Sequence, residues 1–183
     1  MKKINKILGF LFLSCGFILL FGNFTIKKAT EIKETRKIET KVRENNSYFA
    51  ILEIPKISLK KELFSINDSQ NQVDKNILVH SKSIFPSEEK SYIILAAHSG
   101  NGKNAYFKNL YKLKKGHELK LYYQNNIYTY EILAIEEQNK TGTLDLRKYA
   151  DALVLITCTK NNSKTQTIYY SKLKNTTKIA NFS

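Results

Sequence analysis

Glu118 to Ile135 reads ELKLYYQNNIYTYEILAI. Leu119, Leu121 and Tyr123 alternate with polar neighbours, the period-two pattern of a half-buried strand. Gln124-Asn125-Asn126 is a turn signal, and Ile127 to Ile135 returns as a second long β-rich run, so the stretch predicts a hairpin. Other segments between 48 and 183 read the same way. Tyr48 to Leu59, YFAILEIPKISL, is apolar and β-rich, broken by Pro55. Ile77 to His80 is a short apolar run. Tyr92 to Ala97, YIILAA, and Ala152 to Thr157, ALVLIT, are continuous apolar runs suited to strands buried on both faces. Thr165 to Leu173 closes the set. Between them, Phe107, Leu110, Tyr111 and Leu113 recur at near-helical spacing, which predicts one short helix over Asn104 to Leu113. Many short strands with one or two helical turns predict a mostly-β fold, a closed or nearly closed barrel.

The N-terminal part reads differently. Residues 1–6 carry Lys2, Lys3 and Lys6, and Ile7 to Ile26 then runs for 20 residues without a charge. At about 1.5 Å per residue that run spans a bilayer. A secretory signal is the competing reading, but Phe24, Thr25 and Ile26 lead straight into Lys27 and Lys28, with no small-residue cleavage site. Cys15, inside the run, has apolar residues after it and reads as packed among lipid tails. Residues 7–26 are therefore expected to be an uncleaved single-pass membrane anchor. The three lysines and the amino terminus place residues 1–6 in the cytoplasm by the positive-inside rule, and the remainder outside. Residues 27–47 are charged and nearly free of large apolar groups, a solvated stalk.

Of 183 residues, 42% are hydrophobic and 25% charged, a globular composition with room for one folded domain, expected over residues 48–183. The net charge is +14, divided as +6 over residues 1–47 and +8 over 48–183. That spread lacks the basic stripe of a nucleic-acid binder, so no nucleic-acid partner is expected. Two cysteines exclude both a disulfide-dense scaffold and a four-cysteine zinc site. The carboxylates form no tight calcium-loop pattern. Glu53, Glu136 and Glu137 read as solvated, and neither a metal nor a cofactor is expected.

The chemistry concentrates where two buried runs end. Cys158 follows ALVLIT directly and is the one cysteine outside residues 7–26, so it has no intrachain disulfide partner there. A thiol of that kind is either packed as a small apolar residue or used. The polar run from Thr159 to Thr165 places it at a strand mouth. His98 ends YIILAA in the same way and precedes Ser99-Gly100-Asn101-Gly102. A cysteine and a histidine, each at the exit of a central strand, suit thiol catalysis, in which a thiolate attacks and an imidazole moves protons.

Ile54-Pro55-Lys56-Ile57, then Leu95-Ala96-Ala97-His98-Ser99-Gly100, then Leu155-Ile156-Thr157-Cys158-Thr159 follow one another in this order after the apolar N-terminal run. Together they resemble the sortases, cysteine transpeptidases of Gram-positive surfaces. Ala105 to Leu119, AYFKNLYKLKKGHEL, is also similar to the stretch after the sortase histidine. The resemblance covers about residues 48–173 and assigns no class within the family. It implies an eight-stranded β-barrel. It implies that Cys158 attacks the carbonyl between Thr and Gly of an LPxTG-like sorting signal on a surface protein. His98 would protonate the leaving amine and deprotonate the incoming one. The acyl group would pass from Cys158 to an amine on a cell-wall precursor or a pilin. Thr157 and Lys164 fall at substrate-contacting positions. The L,D-transpeptidases also pair Cys with His, but their Ser-x-Gly-Cys context is absent.

One departure stands out. Sortases carry an Arg on the strand after the cysteine, and no Arg lies between Cys158 and Ser183. Matching TQTIYYSKL to the family's last strand puts Gln166 nearest that position, with Lys164 close by. A Gln amide donates hydrogen bonds without charge, and Lys supplies charge without the planar fork. Gln166 is therefore the expected oxyanion donor. Arg147, before the cysteine strand, is a poorer candidate. The departure also keeps open a non-catalytic surface-binding module on the same scaffold. His80 reads as a structural or supporting histidine and His117 as a surface turn residue.

Overall fold

The computed structural model describes residues 48–86, 90–140, 149–160 and 162–179. The stretches 1–6, 7–26 and 27–47, read above as cytoplasmic terminus, anchor and stalk, lie outside these, as does Arg147. Among the described residues, no helix is long and apolar enough to cross a membrane.

Among the described residues, eight strands form one sheet: β1 (Ala50–Ile54), β2 (Leu59–Leu63), β3 (Leu78–Val79), β4 (Tyr92–Ala96), β5 (Glu118–Tyr123), β6 (Asn126–Asn139), β7 (Ala152–Thr159) and β8 (Asn162–Lys178). The order across the sheet is β2-β1-β5-β6-β8-β7-β4-β3, which curls into a nearly closed barrel. β4 and β7 run parallel, with Leu95 beside Leu155 and Ala96 beside Ile156. The β5–β6 hairpin forms as expected: Tyr123 pairs with Asn126, and Gln124 and Asn125 both take positive φ, as a type I′ turn requires.

The two continuous apolar runs are buried on both faces. Leu153 and Leu155 join Leu52, Leu119, Leu121 and Tyr130 in the main core. Ala152 and Val154 point the other way, into a second cluster with Ile168 and Tyr170. Burial pushes the Tyr169 hydroxyl up to about 12, so that phenol stays neutral within the main core.

The expected helix over 104–113 is replaced by turns and a 3₁₀ turn at Leu110–Lys112. The apolar anchors explain why. Phe107, Leu110 and Leu113 are spaced by three, the 3₁₀ period, and all three are buried. The Leu110 N–H donates to the Phe107 carbonyl and the Leu113 N–H to the Leu110 carbonyl. Burying each such side chain contributes about 1.5–3 kcal/mol, which outweighs weak local helix propensity.

The run from Tyr48 to Leu59 divides at Pro55. Pro55–Ile57 is a second 3₁₀ turn, Ser58 takes φ 52°, and β2 folds back on β1 with Ile54 opposite Leu59. After β2, the chain is pinned by Asn71. Its side-chain amide donates to the Val79 carbonyl at 3.0 Å and accepts the Val79 N–H at 2.7 Å, as a neighbouring strand would. That clamp holds the segment leading to Asp74.

Candidate active site

The β4–β7 register decides the site. The parallel ladder ends at Ala96 and Ile156, so His98 and Cys158 each lie two residues beyond the last pair. Two hydroxyls carry the alignment past that end. Thr157 Oγ1 donates to the Ala97 carbonyl at 2.9 Å, and Ser99 Oγ donates to the Cys158 carbonyl at 2.8 Å. The two chains are thus laced together on either side of the thiol. Leaving a buried carbonyl such as that of Ala97 without its donor costs about 1–3 kcal/mol.

His98 and Cys158 line one open cleft of about 760 Å³ at this end of the barrel. Ser99, Asn101, Tyr111 and the lysines Lys108, Lys140 and Lys160 complete much of its wall. No carboxylate is among the described residues that line it. The Lys160 ammonium sits 3.9 Å from the centre of the Tyr111 ring, a cation–π contact between the β7–β8 connection and the 3₁₀ turn. Cys158 is half-buried and free of any disulfide.

The antiparallel β7–β8 pair sets Gln166 directly opposite Cys158. Directly opposed residues share a face of the sheet, with their Cβ atoms about 5 Å apart. Ile156 faces Ile168 and Val154 faces Tyr170 on the same side. Gln166 is half-buried and, although paired with Cys158 across the ladder, is not among the residues that line the cleft. One strand further, Gln138 stands opposite Gln166, and its side-chain nitrogen is buried without a hydrogen-bond partner. Buried donors are nearly always satisfied in folded proteins, so an orphan beside the site is notable.

The remaining sequence-predicted residues have their own local partners. Thr157 is buried, with its hydroxyl committed to Ala97. Lys164 is exposed and is not part of the cleft wall; its backbone N–H donates to Asn162 Oδ1. His80 sits at the end of β3, its backbone N–H on the Ile94 carbonyl and its Nδ1 accepting the Lys82 N–H. His117 accepts the Lys114 N–H in a turn where Gly116 has φ 86°. Glu53 accepts the Tyr122 hydroxyl beside β1, while Glu137 accepts the Thr165 hydroxyl near the end of β6, so these carboxylates do not converge. Among the described residues, no three His, Cys, Asp or Glu side chains are grouped to hold a metal ion.

Sequence reasoning missed Asp74. His98 Nε2 lies 2.9 Å from Asp74 Oδ1. Asp74 stands in a polar stretch, NDSQNQVDKN, where nothing singles it out.

A nearly closed β-barrel thus laces the Cys158 strand to the His98 loop beside one open cleft. The Sortase domain family matches residues 52–174. Sortase D of Bacillus subtilis (strain 168) is 28% identical over 117 residues, which cover 63% of this chain and 56% of that protein. The chain therefore spans little more than half the length of that relative. Among solved structures, sortase A of Listeria monocytogenes superposes with TM-score 0.61 and 21% identity, covering 74% of this chain and 92% of the other. Sortase E1 of Streptomyces coelicolor, solved with a tripeptide in its active site, gives 0.60 and 20%, covering 71% and 90%. The chain belongs to the sortase family, whose members are cysteine transpeptidases.

Proposed function

We propose that this protein is a membrane-anchored transpeptidase that cleaves an LPxTG-like sorting signal and transfers the acyl group to an amine. The observation that carries the reading is the shared level of His98 and Cys158 beyond the β4–β7 ladder, on one cleft. In this mechanism the Cys158 thiolate attacks the Thr carbonyl of the signal. Charge develops on the carbonyl oxygen, and the Gln166 amide with a backbone N–H near Cys158 donates to it. His98 protonates the departing amine, leaving a thioester on Cys158. His98 then takes a proton from the incoming amine of a cell-wall precursor or a pilin, and that amine releases the product. Residues 7–26 hold the enzyme in the membrane with the barrel outside. Thr157 serves by keeping β7 aligned with the His98 loop, and Lys164 by meeting substrate at the rim.

The test uses the full chain, a library of LPxTG-like peptides and an amine acceptor. A peptide acyl group should appear by mass spectrometry as a thioester on Cys158 and then on the amine. Gln166→Ala should lower turnover by about 10²–10³-fold, the usual loss for one oxyanion donor, with little change in stability. Lys164→Ala should cost less. A Gln166→Ala enzyme at wild-type rate beside a dead Lys164→Ala would move the donor to Lys164.

The Gln at the usual Arg position supports a second reading, a surface-binding module without turnover. Reaction of Cys158 with a charged, membrane-impermeant thiol reagent separates the two: a poised thiolate reacts quickly, a thiol that only packs does not.

A further inference from the structure

The contact between His98 and Asp74 plays no part in the steps above. The geometry points to Asp74 as a positioning residue that holds the His98 ring for proton transfer, an inference that rests on the transpeptidase reading. An ionised carboxylate only accepts hydrogen bonds, so the proton in the 2.9 Å contact belongs to His98 Nε2. In the neutral ring Nδ1 is then bare, the nitrogen left to exchange protons with the sulfur and the amine.

The ring needs such a hold. The His98 side chain is 46% exposed, so packing alone does not fix its rotamer. Asp74 is itself 84% exposed, which makes the charge–charge attraction weak in water. Its value is orientation rather than field strength.

Asp74 can orient because its own backbone is tethered. The Asn104 side-chain amide donates to the Asp74 carbonyl at 2.6 Å. The N–H groups of Lys75 and Asn76 both donate to the Gln72 carbonyl, and the Asn71 clamp on Val79 anchors the segment just upstream. The loop that supplies Asn104 also binds the other partner, for the Phe107 N–H donates to the His98 carbonyl at 3.0 Å. One loop thus grips the histidine and the aspartate together.

The experiment compares the full-chain wild type with Asp74→Ala and Asp74→Asn. Misplacing a reacting group by about 1 Å can cost up to about 10²-fold in rate. Asp74→Ala should accordingly lower kcat by about 10- to 100-fold with the peptide KM unchanged. Asp74→Asn keeps an acceptor oxygen at the same place and should restore most of the rate. In ¹⁵N-labelled protein, the hydrogen-bonded His98 Nε2–H signal should be present in wild type and Asp74→Asn and lost in Asp74→Ala. An Asp74→Ala enzyme with wild-type kcat would overturn the proposal, as would Asp74→Asn as slow as Asp74→Ala. Because the ring signal is read without turnover, a wild type that fails to transfer acyl groups sinks the transpeptidase reading and leaves the contact independently tested.

Discussion

Cys158→Ala is expected to abolish acyl transfer and leave the fold intact. No other thiol stands among the described residues, so no neighbouring sulfur can take over the attack. A general base cannot substitute either, because transfer to an amine passes through a covalent acyl-enzyme rather than direct attack by water. Stability should barely change: Cys158 is only half-buried at the edge of a cleft, and removing one sulfur there leaves no enclosed cavity. The measurement is single-turnover thioester formation alongside thermal unfolding. Unchanged turnover in Cys158→Ala would remove the enzyme reading, and a collapse of the unfolding transition would make Cys158 a packing residue instead.

His98→Ala is expected to slow turnover by about 10²–10⁴-fold, the scale of lost acid–base catalysis. The loss should fall on kcat, since in the proposed mechanism the ring handles protons and not peptide recognition. His80→Ala is the control. His80 lies beyond the cleft at the end of β3, where its ring accepts the Lys82 N–H, so its removal should cost far less. Steady-state kinetics on both variants decide the matter: equal losses would mean that the acid–base role belongs to neither ring alone.

The strands were legible wherever burial is uniform or strictly alternating. YIILAA and ALVLIT read as strands closed in on both faces because Ile93, Ile94, Leu95 and Ala152 through Leu155 are all buried, shared between two clusters. The hairpin was legible because period two and a turn signal coincide. β2 was not, since LKKEL is a lysine-bearing edge strand with only one fully buried residue, Leu63. The short helix was misread because a spacing of three mimics one face of an α-helix over two turns.

At the site, the strand-end placement of His98 and Cys158 could be read from the chain alone, and so could the position of Gln166 on the last strand. Asp74 and Gln138 could not. Each meets its neighbour through tertiary contact, His98 from 24 residues away and Gln166 across the β6–β8 ladder, and local sequence carries no trace of either. The lacing by Thr157 and Ser99 was hidden for the same reason, as it spans about 60 residues.

The parallel pairing of β4 with β7 also orders events in time. The chain must lay down β5 and β6 before β7 can come alongside β4, and the hydroxyl links at the thiol close loops of 59 and 60 residues. Local hairpins form before such distant contacts repay their loop-closure entropy. A growing or half-folded chain therefore holds its β5–β6 hairpin while the histidine loop still waits for its cysteine. Alignment of the Cys158 strand with the His98 loop is a late-arriving property, tied to delivery of β7.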